Sequence, residues 1–220
     1  MNYNVYWEQC WKNEMQEELY RYLDMYRGLS SKEIDVFREH GAVKVCDAAC
    51  GFGAYSVAFA TNGFQVYSFD ISDTAVEITK RGLGRYGISQ DNVKVASILD
   101  TGYEADFFDG VVAHAVLDHL MAADAKKALE ELFRITKPGG LVLITFDIAE
   151  AEDLEEEHLT PEEGTMEYVG GSRKGMVFRP YDWDRIDEFM KDCKVIYRGE
   201  KTNRERVVIV KKSCVSGTQS

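Results

Sequence analysis

The chain has 220 residues, 45% hydrophobic and 12% aromatic, enough for one well-buried core and too few for two full domains. Its formal net charge of −12 argues against a surface that tracks phosphates, so no nucleic-acid partner is expected. No run nears the roughly 18 apolar residues of a membrane helix, and Met1-Asn2-Tyr3-Asn4-Val5-Tyr6-Trp7-Glu8 lacks a signal peptide's basic-then-apolar layout. A cytoplasmic monomer or homodimer with no membrane partner is therefore expected. The five cysteines, at 10, 46, 50, 193 and 214, show no metal-ligand spacing, and their odd number fits reduced thiols, so no metal is expected.

Residues 1–40 read as helical. Trp7, Trp11, Met15, Glu18, Leu19, Tyr22, Leu23 and Tyr26 recur at three- and four-residue steps, the apolar face of an amphipathic helix. Ser30 and Ser31, ahead of Glu33 and Ile34, look like the cap of a second helix that runs through Arg38 and stops at Gly41. Next, the apolar run Val43-Lys44-Val45-Cys46 ends in Asp47 and the small-residue turn Ala48-Ala49-Cys50-Gly51-Phe52-Gly53. This is the pattern of a buried strand, a nucleoside loop and a helix start. Gly51 and Gly53 let the backbone turn sharply and let a ligand approach with no Cβ in the way. Residues 54–62 continue as a helix whose free N–H groups would face that ligand. Asp70 closes a second strand, Gln65-Val66-Tyr67-Ser68-Phe69, about 20 residues on, the spacing of an acid that grips ribose hydroxyls. Cys46 reads as core filling and Cys50 as a loop residue beside the ligand.

Ser72 looks like the cap of the following helix, and Asn92-Val93-Lys94-Val95-Ala96-Ser97 alternates as a third strand. The fourth ends in Val111-Val112-Ala113-His114-Ala115-Val116-Leu117-Asp118-His119-Leu120. Ligands of open α/β sheets lie beyond the carboxyl ends of strands, so His114, Asp118 and His119 are the polar groups expected to see them. His40 and His158 read as ordinary surface residues. Residues 122–136 form an amphipathic helix stopped by Lys137-Pro138-Gly139-Gly140, and Leu141-Val142-Leu143-Ile144-Thr145-Phe146-Asp147 is a buried parallel strand. Strand and helix repeated in this order mean a doubly wound α/β sheet. The acidic run 150–163 is expected as a solvated loop, followed by a hairpin around Gly170-Gly171-Ser172-Arg173-Lys174-Gly175 whose Tyr168, Phe178, Arg179 and Tyr181 would line a substrate pocket. Asp182 caps a helix to residue 190, two strands (194–199 and 204–211) meet at Thr202-Asn203, and 213–220 is expected as a frayed end.

The stretch Asp47-Ala48-Ala49-Cys50-Gly51-Phe52-Gly53 resembles the first motif of class I, Rossmann-like S-adenosylmethionine-dependent methyltransferases of the small-molecule type. Phe108-Asp109-Gly110-Val111-Val112 resembles their fourth strand, and Arg134-Ile135-Thr136-Lys137-Pro138-Gly139-Gly140-Leu141-Val142-Leu143 their helix-to-fifth-strand segment. Ala49 stands where the family has a glycine, which permits the turn only if φ stays negative there. The resemblance implies one methyltransferase domain with a doubly wound, seven-stranded, mostly parallel sheet whose last strand is antiparallel. Residues 1–40 would be a helical cover, 43–147 the cofactor-binding core, 150–181 an inserted substrate cap and 182–212 a closing helix and hairpin.

It further implies S-adenosylmethionine as cofactor, S-adenosylhomocysteine as product and a small-molecule acceptor. Asp47, Ala48, Ala49, Gly51, Gly53 and the backbone at His114 would meet the methionine end, Asp70 the ribose hydroxyls and Ile71 the adenosine. Ser97, Ile98 and Leu99 would meet the adenine, with Ser97 or Asp100 accepting from its amino group. Tyr3, Tyr6, Trp7 and Trp11 would cover the opening, Tyr6 and Trp11 touching the cofactor. His119 and His114 are the candidates to take a proton from a hydroxyl or amine acceptor; a soft acceptor would need no base. His119 also matches a family histidine in an L-x-H-L stretch that often serves local structure. The competing readings are an idle binder of the cofactor, a macromolecular acceptor, and an NAD-dependent oxidoreductase. Against the last, Ser56 replaces the third dinucleotide glycine and no second catalytic domain fits.

Overall fold

A computed structural model describes residues 2–14, 16–29 and 31–213. Met15 of the aromatic stripe, the Ser30 cap, Cys214 and the tail from 214 lie outside the described residues. Three helices come first: α1 (Tyr3–Asn13), α2 (Gln16–Leu29) and α3 (Ser31–Glu39). The expected continuous stripe is therefore broken. Glu14 is extended, with φ −72° and ψ 139°, which turns the chain between α1 and α2. Trp7 and Trp11 consequently face a different partner from Leu19 and Leu23, and Tyr22 is left 48% exposed.

The alternating core begins with β1 (Lys44–Ala48), α4 (Ala54–Thr61), β2 (Gln65–Asp70), α5 (Asp73–Arg85) and β3 (Val93–Val95). Ser72 caps α5 by accepting from the Ala75 N–H. There follow β4 (Phe108–Ala113), a single tight turn at Leu117–His119, α6 (Ala122–Ile135) and β5 (Thr136–Asp147). Among the described residues the main sheet runs β3-β2-β1-β4-β5 and then two strands from the chain's end, β10 (Glu205–Lys211) and β9 (Lys194–Glu200). The first five strands are parallel to one another, while β10 is antiparallel to both β5 and β9. The strand order reverses between β1 and β4, which opens a crevice at their carboxyl ends.

Each central strand splits its side chains between two faces, as the two-residue period demands. Cys46 and Ala48, Val111 and Ala113, Val142 and Ile144 pack under α6 and α8 (Trp183–Phe189). Val45, Val112, Leu143 and Ile209 pack under α3 and α4 with Phe37, Tyr55 and Phe59. Each fully buried aliphatic side chain adds about 1.5–3 kcal/mol. Gly110 in mid-strand is explained by Phe37, whose Cε1 would lie 2.4 Å from any Cβ there.

The acidic stretch is not a plain loop. It holds α7 (Ala151–Glu155), closed by reciprocal hydrogen bonds between Glu150 and Asp153, and β6 (His158–Glu162). That strand pairs with β7 (Thr165–Tyr168), which pairs with β8 (Val177–Phe178) as the predicted hairpin. The third strand escaped prediction because its apolar residue is a single exposed Leu159, leaving no alternation to read.

Candidate functional site

A cavity sits at the carboxyl ends of β1, β2, β4 and β5, roofed by α1. Its floor is the turn after β1, where three residues take left-handed backbone: Ala49 (φ 56°), Gly51 (φ 53°) and Gly53 (φ 83°). The expectation of a negative φ at Ala49 is thus overturned, because the turn needs the left-handed conformation there, at about 1–2 kcal/mol for a non-glycine residue. Ala49 and Gly51 line the cavity, whereas Ala48 and Gly53 do not. Ala48 is wholly buried in the sheet core. At Gly53 a Cβ would fall 2.9 Å from the Thr79 hydroxyl, so that glycine serves the packing of α4 on α5 instead of ligand approach.

Asp47, next to last in β1, and Asp70, last in β2, both line the cavity. Asp47 accepts from the Ser56 hydroxyl at 2.5 Å, and the same oxygen of Ser56 lies 2.8 Å from that of Ser68. Asp70 accepts from the Gly51 N–H on one oxygen and the Ser72 N–H on the other, both at 2.9 Å, and so clamps the turn to the start of α5. Each carboxylate oxygen retains a second lone pair for a ligand. Burial raises both carboxyls to about 6 against the pull of these donors. Ile71, Ser97, Ile98 and Leu99 line the next wall, where Ser97 Oγ accepts from the Leu99 N–H at 3.1 Å. Asp100, the alternative to Ser97, does not reach the cavity.

The roof is one face of α1: Tyr3, Trp7 and Trp11 at four-residue steps. Tyr6, expected to touch the cofactor, lies off that face and borders a separate groove with Gly175 and Lys174. Glu8 pins the helix, accepting from the Ser72 hydroxyl (2.5 Å), the Thr74 N–H (3.1 Å) and the Thr74 hydroxyl (2.8 Å). Those donors, Ser72 foremost, hold its carboxyl near 2. Tyr3 donates to Asp124 at 2.6 Å and accepts from the Met121 N–H at 3.1 Å.

The far wall carries His114, His119 and Asp147. The His114 Nε2 lies 2.9 Å from Glu205 Oε1, and its ring packs on Tyr55. Burial pushes this imidazole down, but the Glu205 carboxylate outweighs it and raises the pKa above the usual value. His119 donates from Nδ1 to the Val177 carbonyl at 2.9 Å, while Nε2 is 3.8 Å from Asp147 Oδ2. Burial again opposes the charge, yet Asp118 and Asp147 lift His119 to about 9. The two acids favour the charged ring, which has no lone pair to offer, and Nδ1 is already committed to the Val177 carbonyl, so the arrangement suits His119 to holding a polar group more than to taking its proton. Asp118 does not see the cavity: it is fully buried, accepts from the Asp147 N–H at 2.8 Å, and leaves Oδ1 with no partner. One ligand-type atom each of Asp118, His119 and Asp147 falls within 4.8 Å of the others, and the His119 proton supplies the positive charge between the two acids.

Tyr168, Phe178, Arg179 and Tyr181 do not line the cavity. Tyr168 donates to the Asp153 carbonyl, Arg179 to Thr165, and Tyr181 packs against Phe146. The hairpin meets the site through His119, which it holds by the Val177 carbonyl and packs with the Phe178 ring, 5.7 Å between centroids. Sequence reasoning missed Asp147 and Glu205 as site residues. Asp147 had a signal, since it ends its strand as Asp70 does; Glu205 had none.

An open α/β sheet with carboxylates and a glycine turn at its switch point is the framework of an enzyme that binds a nucleoside cofactor. Residues 46–144 match a family described as a methyltransferase domain, in line with the resemblance of the first motif to the class I, Rossmann-like S-adenosylmethionine-dependent methyltransferases. It is 38% identical over 111 residues to a tRNA (carboxymethyluridine(34)-5-O)-methyltransferase of Arabidopsis thaliana, 50% of this chain and 25% of that protein. To a demethylmenaquinone methyltransferase of Clavibacter sepedonicus it is 32% identical over 103 residues, 46% of this chain and 40% of the other. Each match spans less than half of the relative's own length. The fold is similar to that of an S-adenosylmethionine-dependent methyltransferase from Clostridium acetobutylicum (TM-score 0.67, 14% identity, 86% of this chain and 92% of the other).

The lining fits the family's cofactor by charge. Among the described residues it holds the carboxylates of Asp47, Asp70 and Asp147 against the imidazoles of His114 and His119, with no Lys or Arg, and each imidazole is paired with a carboxylate. S-adenosylmethionine carries a sulfonium and an ammonium against one carboxylate, so a net negative cavity complements it.

Proposed function

We propose that this chain transfers a methyl group from S-adenosylmethionine to a small molecule held under α1. The observation that carries the reading is the roofed cavity itself, which joins two buried acids at the glycine turn to a third acid beside an imidazolium. The cofactor supplies a methyl already activated on sulfur, so the protein's task is to position, dehydrate and dispose of a proton. Asp47 takes the ammonium end and Asp70 the ribose hydroxyls, while Ala49 and Gly51 allow close backbone approach. Ile71, Ser97, Ile98 and Leu99 hold the adenine, and Trp11 covers the turn. The His119 imidazolium and Asp147 orient the acceptor's polar group against Trp7 and Tyr3, and His114, held by Glu205, receives its proton.

A small acceptor is favoured over nucleic acid by the net charge of −12 and by the α1 roof of Tyr3, Trp7 and Trp11 over the cavity, although one relative is named for a tRNA substrate. No helix among the described residues is long and apolar enough to cross a membrane, and Cys10, Cys46, Cys50 and Cys193 are free thiols, which supports the reducing cytoplasm as the site of action.

Calorimetry with S-adenosylmethionine and with NADH tests the cofactor, and formation of S-adenosylhomocysteine tests turnover. The acceptor panel should hold phenols, quinols, amines, thiols and bulk tRNA. Binding of S-adenosylmethionine that weakens at least about tenfold in Asp70→Ala is expected. Preference for NADH would refute the reading, binding without turnover would leave an idle binder, and turnover on tRNA alone would replace the small acceptor.

A further inference from the structure

Glu205 opens β10, opposite Asp147 in the register with β5. It is 3% exposed and nothing in its local sequence calls for a buried acid. Its Oε1 meets His114 Nε2 at 2.9 Å, and also accepts from Asn203 at 2.6 Å and the Tyr26 hydroxyl at 3.4 Å. Its Oε2 has no hydrogen-bond partner and lies 3.8 Å from the Lys201 ammonium. Lys201 is itself buried, bound to Glu33 at 2.8 Å and to the Tyr55 hydroxyl. The two acids and one lysine leave a buried negative charge. A proton taken up by His114 would neutralise it.

The bond to Glu205 also fixes the tautomer. A carboxylate accepts, so the neutral ring must carry its hydrogen on Nε2 and its lone pair on Nδ1. His114 lines the cavity, so its free nitrogen belongs to a ring in contact with the reaction space. Glu205 stays ionised, because His114 and then Lys201 lower its pKa against burial.

We propose that Glu205 is a positioning residue that prepares His114 Nδ1 to receive the proton of an acceptor bearing an ionisable O–H or N–H. The inference rests on the methyltransferase reading above, and it narrows the substrate to protic acceptors, excluding carboxylates, halides and thioethers. In the step, the acceptor atom bonds to the methyl carbon, the carbon–sulfur bond breaks with its pair going to sulfur, and the acceptor's proton moves to Nδ1. The network gains the charge it lacked. Around the ring, Glu205 from β10, Asp47 from β1 and Asp147 from β5 favour the imidazolium, Lys201 from the β9–β10 turn opposes it, and Tyr55 of α4 and Tyr26 of α2 pack against it.

Nitrogen NMR of histidine-labelled protein with S-adenosylhomocysteine tests the positioning directly, His114 being assigned by its loss in His114→Gln. The expected result is an Nε2–H tautomer whose titration midpoint falls by about one pH unit in Glu205→Gln. An Nδ1–H tautomer, or a midpoint that does not move, overturns the proposal. In turnover, the acid limb of the kcat profile with phenol should move to lower pH in Glu205→Gln while the plateau falls about tenfold, more than with the pre-ionised 4-nitrophenolate. An equal loss for both acceptors at every pH would indicate a merely structural role and overturns it. If Glu205→Gln does not fold, the wild-type tautomer and the profile of His114→Gln decide: the acid limb must disappear with phenol. A wild-type protein that binds no S-adenosylmethionine would sink the parent reading, while the tautomer would still judge Glu205.

Discussion

Replacing Gly51 by alanine separates the two tasks of the turn. At φ 53° an alanine costs about 1–2 kcal/mol more than glycine, which in a chain of this size lowers Tm by roughly 2–8 °C. The new Cβ would also stand 2.8 Å from Trp11 Cζ2 and 3.0 Å from Cη2, so the indole must retreat from the turn it covers. Aromatic contacts of this kind are worth about 0.5–1.5 kcal/mol, or roughly 2–12-fold in the dissociation constant for S-adenosylmethionine. The assay is calorimetric titration alongside thermal unfolding for Gly51→Ala, Trp11→Ala and the double variant. In the Trp11→Ala background the loss of Tm should persist and the further loss of affinity should vanish, since no ring remains to displace. A Gly51→Ala affinity loss of the same size in both backgrounds would refute the argument that Trp11 transmits it.

Asp47 and Asp70 have pKa values of about 6 when folded, above the ordinary carboxylate value, so both take protons between about pH 6 and 4 in the folded state but not in the unfolded one. Their contribution to stability accordingly rises as pH falls through that window, whereas affinity for the cationic cofactor falls, by up to about tenfold per pH unit for each acid; titrations at pH 7, 6 and 5 that agree would contradict this. Lys201→Met strands Glu33 and Glu205, which are 2% and 4% exposed at the side chain, and should cost about 3–5 kcal/mol in denaturant unfolding. Glu8→Ala removes the three hydrogen bonds that pin α1 to α5, so hydrogen exchange in residues 3–13 should accelerate and cofactor affinity weaken severalfold. Ala49→Gly relieves a left-handed alanine at the expense of a more mobile unfolded chain, so its stability should stay level or rise by up to about 1 kcal/mol, and a clear loss would show that the turn needs that methyl.

Local sequence carried the floor of the cavity. Asp47 and Asp70 each stand at or next to the end of a short apolar strand, and Gly51 follows at once, so strand, turn and helix are encoded within a few neighbours and survive any packing of the rest. The same is true of Ser72, which caps α5 through its own neighbour Ala75. Tyr6 and Trp7 differ only in which face of α1 docks, and that depends on Glu8 reaching Ser72, 64 residues away. Asp118 looked like a cavity residue because it follows β4, yet the tight turn buries it beneath Asp147. Glu205 reaches His114 across 91 residues through an antiparallel strand inserted late in the chain. Sequence by itself therefore determined the order of elements and the acids at strand ends, since these follow from short-range periodicity and turn chemistry. Only the tertiary structure decided which aromatics form the roof and which carboxylates partner each histidine, because burial and charge partners are set by chain segments far apart in sequence.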